Sequence, residues 1–141
     1  MPPADPGVRM RFVISGSRVN PSDPLLYHKT TRRTLYDGEH ARAVKEHGAD
    51  EVVYLNTRGE LAEGSRTNIF IERDGVLLTP KLSCGLLPGT LRAELLASGR
   101  AKEAVLTLAD LAAGRVYLGN SVRGLVAAEL FETNAKTRRA S

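Results

Sequence analysis

Tryptophan is absent from this 141-residue chain, aromatic residues make up 5% of it, and cysteine occurs once, at Cys84. So few rings undersupply a base-stacking surface for single-stranded nucleic acid. A lone cysteine excludes an internal disulfide, which fits a reducing cytoplasm. No apolar run approaches the ~20 residues needed to span a bilayer, and the N-terminus, MPPADPGVRM, lacks the apolar core of a signal peptide. The histidines, His28, His40 and His47, have no metal-ligand spacing with acids or with Cys84. Serine, histidine and aspartate occur without a nucleophile-elbow motif. The expectations are no metal, no membrane and no nucleic acid.

Hydrophobic residues are 42% of the chain and charged residues 26%, as in a soluble globular protein. A chain of this length is the usual size of one domain with one core. The net charge is +4 and the pI about 9.5, but the basic residues are scattered. Their densest run, Lys136-Thr137-Arg138-Arg139, belongs to a terminal tail. Bulk charge is then the reading of the pI, with a basic cleft for an anionic small molecule left open.

The patterning divides the chain into a disordered Pro-rich segment over 1–8, one domain over 9–132 and a basic tail over 133–141. Arg9 to Ser15 reads as a strand, and Asn20 to Pro24 as a rigid loop. Lys29 to His47 fits a helix with Leu35, Ala43 and Val44 inward and Gly48 closing it. Glu51 to Leu55, Glu60 to Ala62, Thr67 to Glu72 and Val76 to Leu78 read as strands. The turns at Asn56–Gly59 and Arg73–Gly75 join them as hairpins. A loop over Thr79–Gly89 leads into a helix over Thr90–Ser98, with Leu91, Leu95 and Leu96 on one face. Lys102–Leu106, Arg115–Leu118 and Gly124–Leu130 are further strands, with a short helix over Leu108–Ala113. The elements do not alternate as in a doubly wound sheet. An α+β domain with a curved, mostly antiparallel sheet and flanking helices is expected.

Three stretches exceed what packing alone requires. In LLYHKTTRR, Lys29 stands at a helix start, where the macrodipole prefers anions. Desolvation and neighbouring cations lower a lysine pKa and make an amine nucleophilic; an exposed lysine among exposed arginines is the plainer reading of this stretch alone. In GELAEGSRTNIF, Glu63 sits between two strands and is followed by small polar residues. It is either a turn acid with local side-chain bonds, or a carboxylate for a buried cationic partner, with Ser65 and Asn68 bonding the loop in place. In GLLPGTLR a Gly-rich loop runs into a helix start, where open N–H groups suit phosphate, although an ordinary helix after a Pro turn would look the same. Gly119-Asn120-Ser121, a polar turn, could bring more donors to that phosphate.

Taken together, YHKTTRR…YD, EGSRTNIF, TPKLSCGLLPGTLR and GNSVRGL resemble the class IV aminotransferases, the fold-type IV pyridoxal-phosphate enzymes. The likeness runs from about Asp23 to Ala128 and looks closest to the 4-amino-4-deoxychorismate lyase branch, especially the lyase-like domain fused to aminodeoxychorismate synthase. It implies pyridoxal 5'-phosphate as cofactor. Lys29 takes the place of the lysine that holds it covalently and shuttles protons. Glu63 takes the place of the glutamate that keeps the pyridine nitrogen protonated. The amides of Thr90 and Leu91 would receive the phosphate, and Asn120 and Ser121 would complete the cup.

The implied activity is formation of 4-aminobenzoate and pyruvate in folate synthesis. The alternatives are a branched-chain or D-amino-acid aminotransferase, or a non-catalytic truncated homologue or partner subunit. Two positions depart from the pattern: Arg32 stands where many lyase-like members have Asn, and Leu91 where transaminases often have Thr. The family's N-terminal domain, which supplies a phosphate-binding arginine, has no counterpart in these residues. The resemblance therefore implies a homodimer or pairing with a separate N-terminal half, in the cytoplasm.

Overall fold

The computed structural model describes residues 10–22 and 29–130, without the side chains of 29–32. The expected disordered segment over 1–8, the end of the loop at Asp23-Pro24 and the basic tail over 133–141 lie outside the described residues.

Among the described residues, eight strands form one sheet, with α1 (Lys29–His47) and α2 (Thr90–Ala97) packed on it. The strands are β1 (Met10–Val19), β2 (Glu51–Asn56), β3 (Leu61–Gly64), β4 (Asn68–Arg73), β5 (Val76–Pro80), β6 (Ala101–Ala104), β7 (Arg115–Asn120) and β8 (Gly124–Leu130). Their order is β3-β2-β1-β8-β7-β4-β5-β6, and four of the seven pairings are antiparallel. The two outermost strands come back together. Glu60, just before β3, bridges to Thr107, just after β6, and Leu61 N–H donates to Leu106 C=O at 2.7 Å. The sheet is therefore curled almost closed, which protects its edges and brings β3 beside the β5–α2 loop.

Strand alternation divides the core. Ile69 and Ile71 of β4 face an inner cluster with Phe12, Val53, Leu61 and Leu118, while Phe70 between them faces outward onto Leu95 of α2. Full burial of one such side chain contributes about 1.5–3 kcal/mol, so these two faces fix the register of β4. The hairpin turns are as expected: Gly59 has φ +79°, and Asp74 and Gly75 have φ +55° and +80°. Gly48 ends α1 in the left-handed region, its N–H on Val44 C=O.

Four expectations need correction. On α1, Leu35 and Val44 are about half exposed (50% and 47%), whereas Tyr36 and Ala43 are buried. The inward face is anchored by an aromatic stack, Tyr36 on Tyr54 of β2 at a centroid distance of 4.1 Å, which rotates the aliphatic positions aside. β1 runs to Val19 instead of Ser15, because Ser15 and Ser17 donate their hydroxyls to Glu39 of α1 and keep the polar end of the strand attached. β6 spans Ala101–Ala104 and not Lys102–Leu106, because Leu106 turns into the inner cluster. The loop after β5 contains a 3-10 turn over Leu82–Cys84, closed by Gly85 at φ +99°.

Candidate active site

A cavity of about 380 Å³ opens where β3, the β3–β4 loop, the loop before α2, the β7–β8 turn and the first turns of α1 converge. Glu63 reaches it from β3 and is 4% exposed. Its Oε2 accepts the Tyr36 hydroxyl at 3.0 Å, and its Oε1 accepts Leu87 N–H at 3.0 Å. Each carboxylate oxygen is held by a donor, and the carboxylate is oriented at the cavity. Glu63 is thus the carboxylate of a cavity wall and not a surface-turn acid.

The polar residues after Glu63 build the rest of that wall, and a second acid holds them. Glu51, 1% exposed at the start of β2, accepts the N–H groups of Val52, Ser65 and Arg66 and the hydroxyls of Ser65 and Thr67. A buried carboxylate is tolerated only with such a full donor set. The bonds tie the Ser65–Thr67 loop down so closely that a Cβ on Gly64 would lie 2.4 Å from Thr67 Oγ1 and 2.8 Å from Glu51 Oε2.

Asn68 fixes the opposite wall. Its Nδ2 donates to Leu87 C=O at 3.1 Å and its Oδ1 accepts Gly89 N–H at 3.2 Å. A Cβ on Gly89 would come within 2.7 Å of Asn68 Oδ1, which accounts for glycine there. Gly89 is also the N-cap of α2 and provides no side-chain cap. The first amides of the helix at Thr90 and Leu91 are left open at the cavity end, a setting that suits an anion.

Asn120 works on its own turn. Its Oδ1 accepts the N–H groups of Val122 and Arg123, and its Nδ2 donates to Arg66 C=O at 2.9 Å. It thereby joins the β7–β8 turn to the β3–β4 loop and holds Ser121 at the cavity.

Of the residues expected from sequence, Glu63, Thr90, Asn120 and Ser121 line one cavity. Leu91 does not line it. Its side chain packs against the cluster of Phe70 and Leu95 and presses on Gly119, where a Cβ would meet Leu91 Cδ2 at 2.9 Å. Only its backbone amide could serve a ligand. Lys29 is the first residue of α1. Helical periodicity places position 29 on the same face as Arg33 and Tyr36, one and two turns on, and both of these line the cavity.

Sequence reasoning missed Glu51, Tyr36 and Arg33. Tyr36 had a usable signal, its place seven residues after Lys29. Glu51 had only the oddity of an acid opening a wholly buried strand. Among the described residues, no group of three or more potential metal ligands occurs, and no helix is long and apolar enough to cross a membrane.

Residues 1–130 match the family described as amino-transferase class IV, and the chain belongs to that family. It is 32% identical over 82 residues to a Schizosaccharomyces pombe protein provisionally named an aminodeoxychorismate lyase, covering 57% of this chain and 36% of that protein. Among solved structures, a Mesorhizobium loti protein provisionally named an amino-acid aminotransferase superposes with a TM-score of 0.80 at 45% identity, over 92% of this chain and 63% of that one. The fold is also that of the branched-chain amino acid aminotransferase of Thermobaculum terrenum in its pyridoxal-phosphate form, with a TM-score of 0.68 at 20% identity, over 87% of this chain and 43% of that one. The chain thus spans less than two thirds of the length of each of these relatives.

Proposed function

We propose that this chain binds pyridoxal 5'-phosphate in the cavity beneath α1 and serves a lyase that forms 4-aminobenzoate and pyruvate from aminodeoxychorismate. The observation that carries the cofactor reading is the buried Glu63 carboxylate, held on both oxygens in the same cavity as the uncapped start of α2. One wall suits a protonated ring nitrogen and the other a phosphate, so the residues fit the group. When bound, the cofactor supplies an electron sink for a substrate carbanion.

The residues divide the work. Glu63 keeps the ring nitrogen protonated, and Tyr36 and the Leu87 amide keep Glu63 aimed. Thr90, the Leu91 amide and Ser121 receive the phosphate, and Asn120 holds the turn that carries Ser121. Lys29 holds the cofactor and moves a proton as base and then acid.

The lyase reading rests on the motif wording and on Leu91, which turns its side chain into the core and brings no hydroxyl to the cavity. The aminotransferase reading is the second, favoured by the 45% identity to the Mesorhizobium loti protein. In both, the active form is a homodimer, acts in the cytoplasm, and in the lyase case serves folate synthesis.

Borohydride treatment with the cofactor should fix a pyridoxyl group on Lys29; label spread over surface lysines would count against the reading. Incubation with aminodeoxychorismate should yield pyruvate and 4-aminobenzoate. Amino-group transfer from amino acids to 2-oxoglutarate would decide for the aminotransferase instead.

A further inference from the structure

We infer that Arg33 is an anion-binding residue of this cavity, taking a phosphate or carboxylate group of a bound ligand; the inference rests on the cofactor reading above and extends it to the ligand's charge. The first five residues of α1 carry Lys29, Arg32 and Arg33, and its first turn has no acid. That is the reverse of what a helix N-terminus favours, and an anion brought to this end would relieve it.

The cavity is lined by two arginines and one carboxylate. Arg66 is already engaged. Its guanidinium lies 3.6 Å from the Asp37 carboxylate, its N–H is held by Glu51, and its C=O by Asn120. Glu63 is committed to Tyr36 and the Leu87 amide. Arg33 has neither a hydrogen bond nor an ion pair among the described residues. Its five donors, in a fork that matches carboxylate or phosphate bidentately, line the cavity without a partner there.

Two anions could fill this place: the cofactor's phosphate, or a carboxylate of the substrate. Arg33→Gln, Arg33→Lys and, as a control for lost charge, Lys102→Gln on β6 should each be titrated as the full chain in three arms. The first uses inorganic phosphate, read by amide chemical shifts at Thr90 and Ser121. The second compares pyridoxal 5'-phosphate with pyridoxal, and the third uses succinate. Loss of one charge-assisted contact predicts binding about 10-fold weaker or more in Arg33→Gln. Arg33→Lys should be intermediate, because an ammonium keeps the charge without the fork.

Weakening of phosphate and pyridoxal phosphate, with pyridoxal unchanged, assigns Arg33 to the phosphate. Weakening of succinate alone assigns it to a substrate carboxylate. If Arg33→Gln matches Lys102→Gln in every arm, or if neither anion binds the unaltered chain saturably, the inference is overturned and Arg33 is a solvated surface cation. Failure of the unaltered chain to take up pyridoxal phosphate would sink the cofactor reading by itself, while the phosphate and succinate arms still decide for or against Arg33.

Discussion

The Tyr36 hydroxyl donates to Glu63 Oε2 at 3.0 Å, and the same ring stacks on Tyr54 at 4.1 Å. One side chain thus couples α1 to the sheet and aims the acid of the cavity. Tyr36→Phe keeps the stack and removes the donor. A buried acceptor deprived of a partner costs about 1–3 kcal/mol, so urea unfolding should show a loss in that range. Cofactor affinity should fall with it, because Glu63 is no longer aimed. A variant equal to the unaltered chain in both measurements would make the bond incidental.

Glu63→Gln separates aim from charge. The Leu87 N–H can only donate and would keep the glutamine oxygen, while the Tyr36 hydroxyl can rotate to accept from the new amide group. The fold should therefore survive, with a midpoint close to the original. If Glu63 holds a ring nitrogen protonated, cofactor uptake should persist while turnover falls about 100-fold or more, as for removal of other preorganised electrostatic groups. Equal turnover would return Glu63 to a structural role.

The Glu51 network predicts a different pattern. Glu51→Gln sets an N–H₂ group against donors from Ser65, Arg66 and Thr67. Gly64→Ala forces a methyl onto Thr67 Oγ1. Breaking a buried charge network costs about 3–5 kcal/mol, and overpacking about 1–3 kcal/mol. Denaturant unfolding should rank Glu51→Gln as the more destabilised. A near-neutral Glu51→Gln would mean the network is not what holds this loop.

The backbone was largely legible in the sequence because its punctuation is local. Gly59, Gly75 and Gly48 mark their turns, and α2 carries its leucines at helical spacing. Lys29 to His47 was legible as a helix, but its inward face was not. Aliphatic spacing pointed to Leu35 and Val44, whereas the face is set by a ring stack with a strand elsewhere in the chain. The site divides in the same way. Glu63, Thr90, Asn120 and Ser121 stand in contiguous motifs and converge on one cavity. Glu51 acts on Ser65 across 14 residues and Tyr36 on Glu63 across 27, and those partnerships exist only once the sheet has curled.

Cys84 should be a poor nucleophile. It is 1% exposed, and burial first, then the neighbouring Glu60 carboxylate, push its thiol up. Since the thiolate is the reactive form, iodoacetamide at about pH 8 should label the folded chain far more slowly than the chain in urea. Equal rates would show that the β5–α2 loop opens readily, against the bonds from Asn56 and Arg58 that hold it at Cys84 and Ser83.

Asp110 gives a pH-dependent prediction whose sign is fixed by its environment. It is the third residue of the 3-10 turn over Leu108–Ala112 and closes the capping box with the N-cap Thr107: its Oδ2 accepts Thr107 N–H at 2.7 Å, and its Oδ1 pairs with Arg73 at 2.6 Å. The Thr107 N–H, and next the Arg73 guanidinium, hold its carboxyl below the ordinary value. A carboxylate whose folded pKa is depressed stabilises the fold fully above its unfolded pKa of about 3.9. That stability is lost as the pH falls through the folded value, because the unfolded chain takes up the proton first. At pH 7, Asp110→Asn should be less stable by about 1 kcal/mol, the usual loss for a cap. Asparagine does not titrate, so the gap between the two chains should narrow as the pH drops below about 4. Urea midpoints for both chains across this range provide the measurement. A gap that stays constant with pH would show that Asp110 acts through shape and hydrogen bonding alone, without its charge.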